Sequence, residues 1–120
     1  MAAVMITDRS ITIEFGPWER LFTGRARHTI PVTAVRRASA TDHPLRVPRG
    51  ARKGLTVSGH TKIGTWGLFG GPRQLVSVSR RLPGVHLLLD RGSSGGEFDE
   101  VVISAPDAAH LAETIRAVAA

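Results

Sequence analysis

Apolar and polar residues alternate early in the chain. Over residues 10–15, Ile11, Ile13 and Phe15 alternate with Thr12 and Glu14, the period-two pattern of a strand with one buried face. Gly16-Pro17 stops the pattern. Residues 18–22 are short and mixed, compatible with a helical turn or a continued strand, and Trp18, Leu21 and Phe22 are expected to plug one end of the core. A second strand is predicted over 28–32, with Ile30 and Val32 on one face. Pro31 within it has no N–H for a ladder and assigns it an edge or a bulge. A further strand is expected over 35–40, then a loop over 42–53 that holds Arg46, Arg49, Arg52 and Lys53 and is the longest candidate for a mobile segment. Strands over 55–57, 62–69, 75–79, 85–89 and 98–104 follow. They are separated by turns at Ser58-Gly59, Gly70-Gly71-Pro72 and Leu82-Pro83-Gly84 and by a glycine- and serine-rich hairpin loop over 90–96.

The chain ends in a helical pattern. Ser104-Ala105-Pro106-Asp107 has the spacing of a capping box, with proline in the first turn. Beyond it Ala108, Leu111, Ala112, Ile115, Val118 and Ala119 share one face, and His110, Glu113 and Arg116 the other. A helix this short is marginal alone in water. It is therefore expected to pack on the strands.

Composition narrows the functional classes. A length of 120 residues fits one domain spanning 1–120. Cysteine is absent, which excludes disulfides, thiolate metal sites and a cysteine nucleophile. The N-terminus lacks a charged segment followed by a long apolar one, so no signal peptide is expected. No apolar run approaches the ~20 residues that span a bilayer. The expected setting is cytoplasmic, with a peripheral position at the inner face of the membrane as a variant.

Net charge is +6, and of sixteen basic residues fourteen are arginine. GC-rich codons alone would produce such a bias, so distribution is more informative than the total. From Arg20 to Arg81 there are thirteen Lys/Arg and one acid, Asp42; from Asp90 onward six acids face Arg91 and Arg116. That asymmetry can give the molecule a positive and a negative side.

Short strands, regular turns and a terminal amphipathic helix, together with the segments ITIEF, PWERLFTG, IPVTAVRRA, GHTKIGTWGLFGGPRQLVSV and PGVHLLLD…VVISAPDAAHLAETI, resemble the small bacterial pleckstrin-homology-like (PH-like) proteins. The resemblance covers nearly the whole chain. It implies a mainly β fold, a strongly bent, partly open barrel of about seven antiparallel strands capped by the C-terminal α-helix. It also implies a binding role without a reaction.

In many PH domains basic residues on the first hairpin grip an inositol phosphate, and the matching positions here are Arg20, Arg25 and Arg27, with Arg36 and Arg37 widening the patch. Guanidinium forks suit phosphate because they donate paired charged hydrogen bonds. The leading lysine of that pattern and the tryptophan usual in the terminal helix are missing. Gly64 to Gly71 superficially resembles a phosphate loop but lacks the Gly-Lys-Ser/Thr ending; its glycines fit bends and close backbone approach. Trp66, Leu68 and Phe69 there are candidate protein contacts. The five histidines show no ligand spacing, and no nucleophile-elbow sequence is present. The sequence thus points to a non-enzymatic binding or scaffolding module, without cofactor or metal, that contacts a protein partner or a second copy of itself. Anionic lipid head-group binding is the alternative, and nonspecific nucleic-acid binding is a third, disfavoured by the scarcity of aromatics for base stacking.

Overall fold

A computed structural model describes residues 2–94 and 97–120, and for residues 93 and 94 the backbone alone. The fold is mainly β with a C-terminal helix. Among the described residues nine strands form two sheets. The smaller holds β1 (Ala3–Ile6), β2 (Ser10–Glu14) and β3 (Arg27–Pro31) as an antiparallel meander, interrupted between β2 and β3 by α1 (Pro17–Thr23). The larger holds β4 (Val35–Thr41), β5 (Arg52–Val57), β6 (Thr61–Trp66), β7 (Gln74–Ser79), β8 (Gly84–Leu89) and β9 (Glu100–Ser104), in the order β4-β8-β9-β7-β6-β5. One helical turn, α2 (Arg91–Ser94), precedes β9, and α3 (Ala108–Ala119) ends the chain.

The β7–β9 ladder is parallel, with Leu75 opposite Val101 and Val76 opposite Val102. This arrangement differs from the seven antiparallel strands expected: two strands more, one parallel pair, and no closed barrel among the described residues. The reason is burial. β7 and β9 lie at the centre of the larger sheet and are covered on both faces, so Gln74 to Val78 and Glu100 to Ser104 are buried whichever way their side chains point. On one face, Leu75, Val101 and Ile103 join Val85, Leu87 and Leu89 of β8 against Ile11, Ile13 and Ile30 of the small sheet, with Ala108 and Ile115 of α3 closing the core. On the other, Trp66, Val76, Val78 and Val102 pack under Leu45 and Val47 of the preceding loop.

Several expectations hold. β2, β4 and β8 occupy the predicted segments, and Pro31 sits in β3, at an edge of the small sheet. α3 buries the predicted face and donates a hydrogen bond from Arg116 Nη1 to Ala38 O of β4, at 2.8 Å. Others need correction. The capping box at 104–107 does not form: Ser104 Oγ instead accepts the N–H of Ser79 at 2.8 Å, and the Asp107 side chain caps nothing. β1, absent from the sequence reading, pairs with β2. Trp18 and Leu21 do not plug the core; they are 72% and 67% exposed.

The loop expected to run free over 42–53 is pinned instead. It contains a 3-10 turn at Pro44–Arg46, and Arg52 and Lys53 already belong to β5. Lys62 Nζ donates to Leu45 O at 2.9 Å, Gln74 Nε2 to Val47 O at 3.0 Å, and Arg49 Nη2 to Glu100 Oε2 at 2.7 Å. Of the hairpin loop over 90–96, residues 95 and 96 lie outside the described residues.

Candidate docking face

Gly16-Pro17 stops β2 and starts α1, since proline is tolerated in a first helical turn where its missing N–H has no partner to lose. The Gly16 N–H donates to Glu19 Oε1 at 3.1 Å, Ser77 Oγ donates to Glu19 Oε2, and Thr23 Oγ1 donates back to Glu19 O at 2.7 Å. Glu19 is only 4% exposed. These bonds set the rotational phase of the helix. Glu19 and Thr23, one turn apart, face the sheet; Trp18 and Leu21, three apart, face outward. Two polar residues are inside and two large apolar ones outside, with Arg20 also exposed and Phe22 partly buried, which is not the pattern of a surface helix that only covers a core.

Between α1 and the larger sheet lies a cavity of about 280 Å³ whose walls include Pro17, Trp18, Ile63, Val78 and Leu82 and which Glu19 borders. Thr61 and Ile63 on its floor are the cross-strand partners of Val57 and Leu55, so the same face of β5 carries Lys53, Leu55 and Val57 beside α1. Val57 is exposed. β5 ends the six-stranded sheet, and its outer edge has no strand partner among the described residues. An exposed Trp18 in the wall of a concavity and an exposed Val57 on an adjoining open strand edge therefore lie close together, with Leu21 exposed on the same helix as Trp18.

Comparison with family models, with curated proteins and with solved structures finds no match to this chain.

The arginines singled out in the sequence are engaged with different partners. Arg20 donates from Nε to Phe15 O at 2.8 Å. Arg25, which precedes β3, forks onto Glu97 at 2.6 and 3.0 Å and stacks over the Phe98 ring at 5.0 Å from its centroid. Its Nη1 also lies 3.3 Å from His28 Nδ1. Arg27 faces its cross-strand partner Glu14 at 3.8 Å. The first-hairpin arginines thus each have an acid or a carbonyl as partner. Arg36 and Arg37 are exposed on β4, where the register shifts between Val35 and Arg37.

Of the candidate protein contacts, Trp66 is 4% exposed and belongs to the second core cluster, so it is corrected to a packing residue. Leu68 is partly buried and donates its N–H to Ala51 O at 3.2 Å. Phe69, at 91% exposure, stands alone at the turn following β6, at the end away from the cavity. By sequence Trp18 and Leu21 are expected in the core and Val57 in a strand, because apolar residues in a sequence default to the interior; all three are exposed. The available signal was the Glu19/Thr23 pair: two polar residues one turn apart cannot both face solvent if Trp18 and Leu21 do.

A buried polar group lies elsewhere. Glu100, on β9, accepts from Arg49 Nη2 at 2.7 Å and from His86 Nε2 at 2.6 Å, while fully buried Gln74 accepts the Arg49 N–H at 2.9 Å. These bonds fasten the 42–51 loop over the second core cluster. The carboxylate's partners are all protein groups with a packing role.

Proposed function

We propose that this chain is a non-enzymatic binding module that docks a protein partner on the face formed by α1 and β5. The observation that carries the proposal is the phase of α1, which buries Glu19 and Thr23 against the sheet and leaves Trp18 and Leu21 in water. Large exposed apolar side chains beside a concavity mark interaction surfaces, and tryptophan is enriched among residues that dominate binding energy. The resemblance to PH-like proteins supports the same role, a β-rich domain closed by a helix that binds without reacting; kinship in the barrel itself would require a ladder joining the two sheets. Head-group binding through Arg20, Arg25 and Arg27 has less support, because Arg25 and Arg27 already face carboxylates.

Photo-crosslinkers placed at Leu21 and at Val57 should each trap the same protein in the host cell, and a crosslinker at Glu113 on the outer face of α3 should not. That protein, purified, should bind the chain and lose at least tenfold in affinity to Leu21→Asp or Val57→Asp, on the order of the 1.4 kcal/mol that each tenfold represents. Identical trapping from all three positions, or undiminished binding by both variants, overturns the reading. Native mass measurement identifies the case in which the trapped protein is a second copy.

A further inference from the structure

We infer that the partner presents an extended, acidic segment that adds as a strand to the outer edge of β5. This inference rests on the α1–β5 docking reading and specifies what occupies it.

Main-chain geometry comes first. β5 is a terminal strand of six residues whose inner side is fully registered with β6 from Arg52↔Trp66 to Val57↔Thr61. The other end of this sheet, β4, lies against α3, which also bonds its Ala38 carbonyl. An open strand edge presents a row of backbone donors and acceptors spaced for another strand, the basis of peptide recognition by β-augmentation.

Side-chain chemistry selects the segment. Alternation along β5 places Arg52 and Thr56 on one face and Leu55 and Val57 on the α1 face, with Lys53 at the start of the latter. A strand laid against this edge would set alternate residues against Leu55 and Val57, which favours apolar groups there. Its remaining residues would lie beside Arg52. Arg52 and Lys53 are exposed and form no ion pair among the described residues. From His43 to Leu89, a stretch that includes the whole β5–β6–β7 meander, the chain has no acidic residue at all. An incoming segment therefore meets cations without a competing internal carboxylate on these strands, and alternation of acidic and apolar residues fits both faces.

The same charge argues against a second copy as the occupant. Pairing β5 with itself would set two acid-free, basic meanders side by side, an arrangement that like-charge repulsion opposes.

The test uses the whole chain and end-blocked synthetic peptides matching the six residues of β5: one alternating Glu with Val, one alternating Lys with Val, and the Glu peptide N-methylated at alternate amides. Binding is read by fluorescence anisotropy, and its location by backbone amide NMR shifts. The Glu peptide should bind at least about fivefold tighter than the Lys peptide at low salt and lose that margin as salt rises. Shifts should fall in β5 and α1. N-methylation should abolish binding, and Arg52→Glu/Lys53→Glu, two exposed positions, should invert the preference. Equal binding of Glu and Lys peptides overturns the acidic assignment, and binding that survives N-methylation overturns strand addition; both leave the docking face intact. If no peptide binds while Leu21 and Val57 still crosslink a protein, the extended-segment inference falls and the docking reading stands. If neither occurs, both fall.

Discussion

Thr56 shows how a single polar atom can work against its own fold. Its Oγ1 is buried and, among the described residues, the side-chain oxygen or nitrogen that lacks a hydrogen-bond partner. A hydroxyl taken out of water without compensation costs roughly 1–3 kcal/mol. Thr56→Val keeps the branched shape, removes that cost and suits a strand; the variant should unfold at higher urea concentration, by about 1 kcal/mol in stability. A lower midpoint would mean that the hydroxyl is satisfied. Glu100 is the opposite case, a carboxylate 4% exposed whose oxygens are taken by Arg49 and His86. Neither environment is visible in sequence, because satisfaction of a side chain depends on residues tens of positions away.

At the scale of elements, the β5–β6 hairpin depends on two facing glycines. Gly54 and Gly64 are cross-strand partners with φ of +155° and +144°. A Cβ on Gly54 would stand 2.2 Å from Ile63 O, and one on Gly64 2.3 Å from Lys53 O. The backbones approach too closely for any side chain. Gly64→Ala combines an unfavourable backbone region, itself about 1–3 kcal/mol, with a clash that only separation of the strands relieves. It should lower the thermal midpoint markedly and increase amide exchange in β5 before the rest of the sheet. Uniform exchange, with β5 protected as long as β9, would contradict this. The glycines of this stretch are thus structural, as their position in a strand suggests. Elements with one buried face (β2, β8, α3) were legible from period alone. β1 was not, since AVMI lacks alternation, and neither was α1, whose phase is set by Ser77 of a distant strand.

Across the whole molecule, the small sheet is clasped to the segment preceding β9 by Arg25, Glu97, His28 and Phe98. The Arg25 fork grips Glu97, and the His28 ring meets Phe98 edge-on at 5.2 Å between centroids. Burial, and then the neighbouring Arg25 charge, hold His28 below its ordinary value of 6.5, against the opposing pull of Glu97. Glu97 is held below its ordinary 4.5 chiefly by the hydrogen bonds from Arg25, with the charges of Arg25, His28 and Arg73 adding to the effect against burial. Both shifts have the same consequence for stability. Below about pH 6.5 the unfolded chain binds a proton at His28 that the folded chain resists, so this contribution is complete above 6.5 and is lost as pH falls through the folded value. Glu97 adds a second decline, beginning near its unfolded value of about 4.5. Urea unfolding between pH 8 and 4 should show stability falling with acidification, and His28→Phe should flatten the upper part of that slope. An unchanged slope in the variant would assign the effect to other groups.

Period and punctuation alone determined that this protein is mainly β, that a C-terminal helix closes it with the face from Ala108 to Val118, and that proline and glycine mark its edges and turns. These features are local: a strand with one wet face or a helix over a core writes its burial into neighbouring residues. Tertiary structure alone decided the parallel β7–β9 pairing, the separate destinations of Arg20, Arg25 and Arg27, the burial of Trp66 and the exposure of Trp18 and Leu21. Strand order, ion-pair choice and helix phase are settled by contacts between residues far apart in the chain, and no local pattern encodes which of several compatible partners wins.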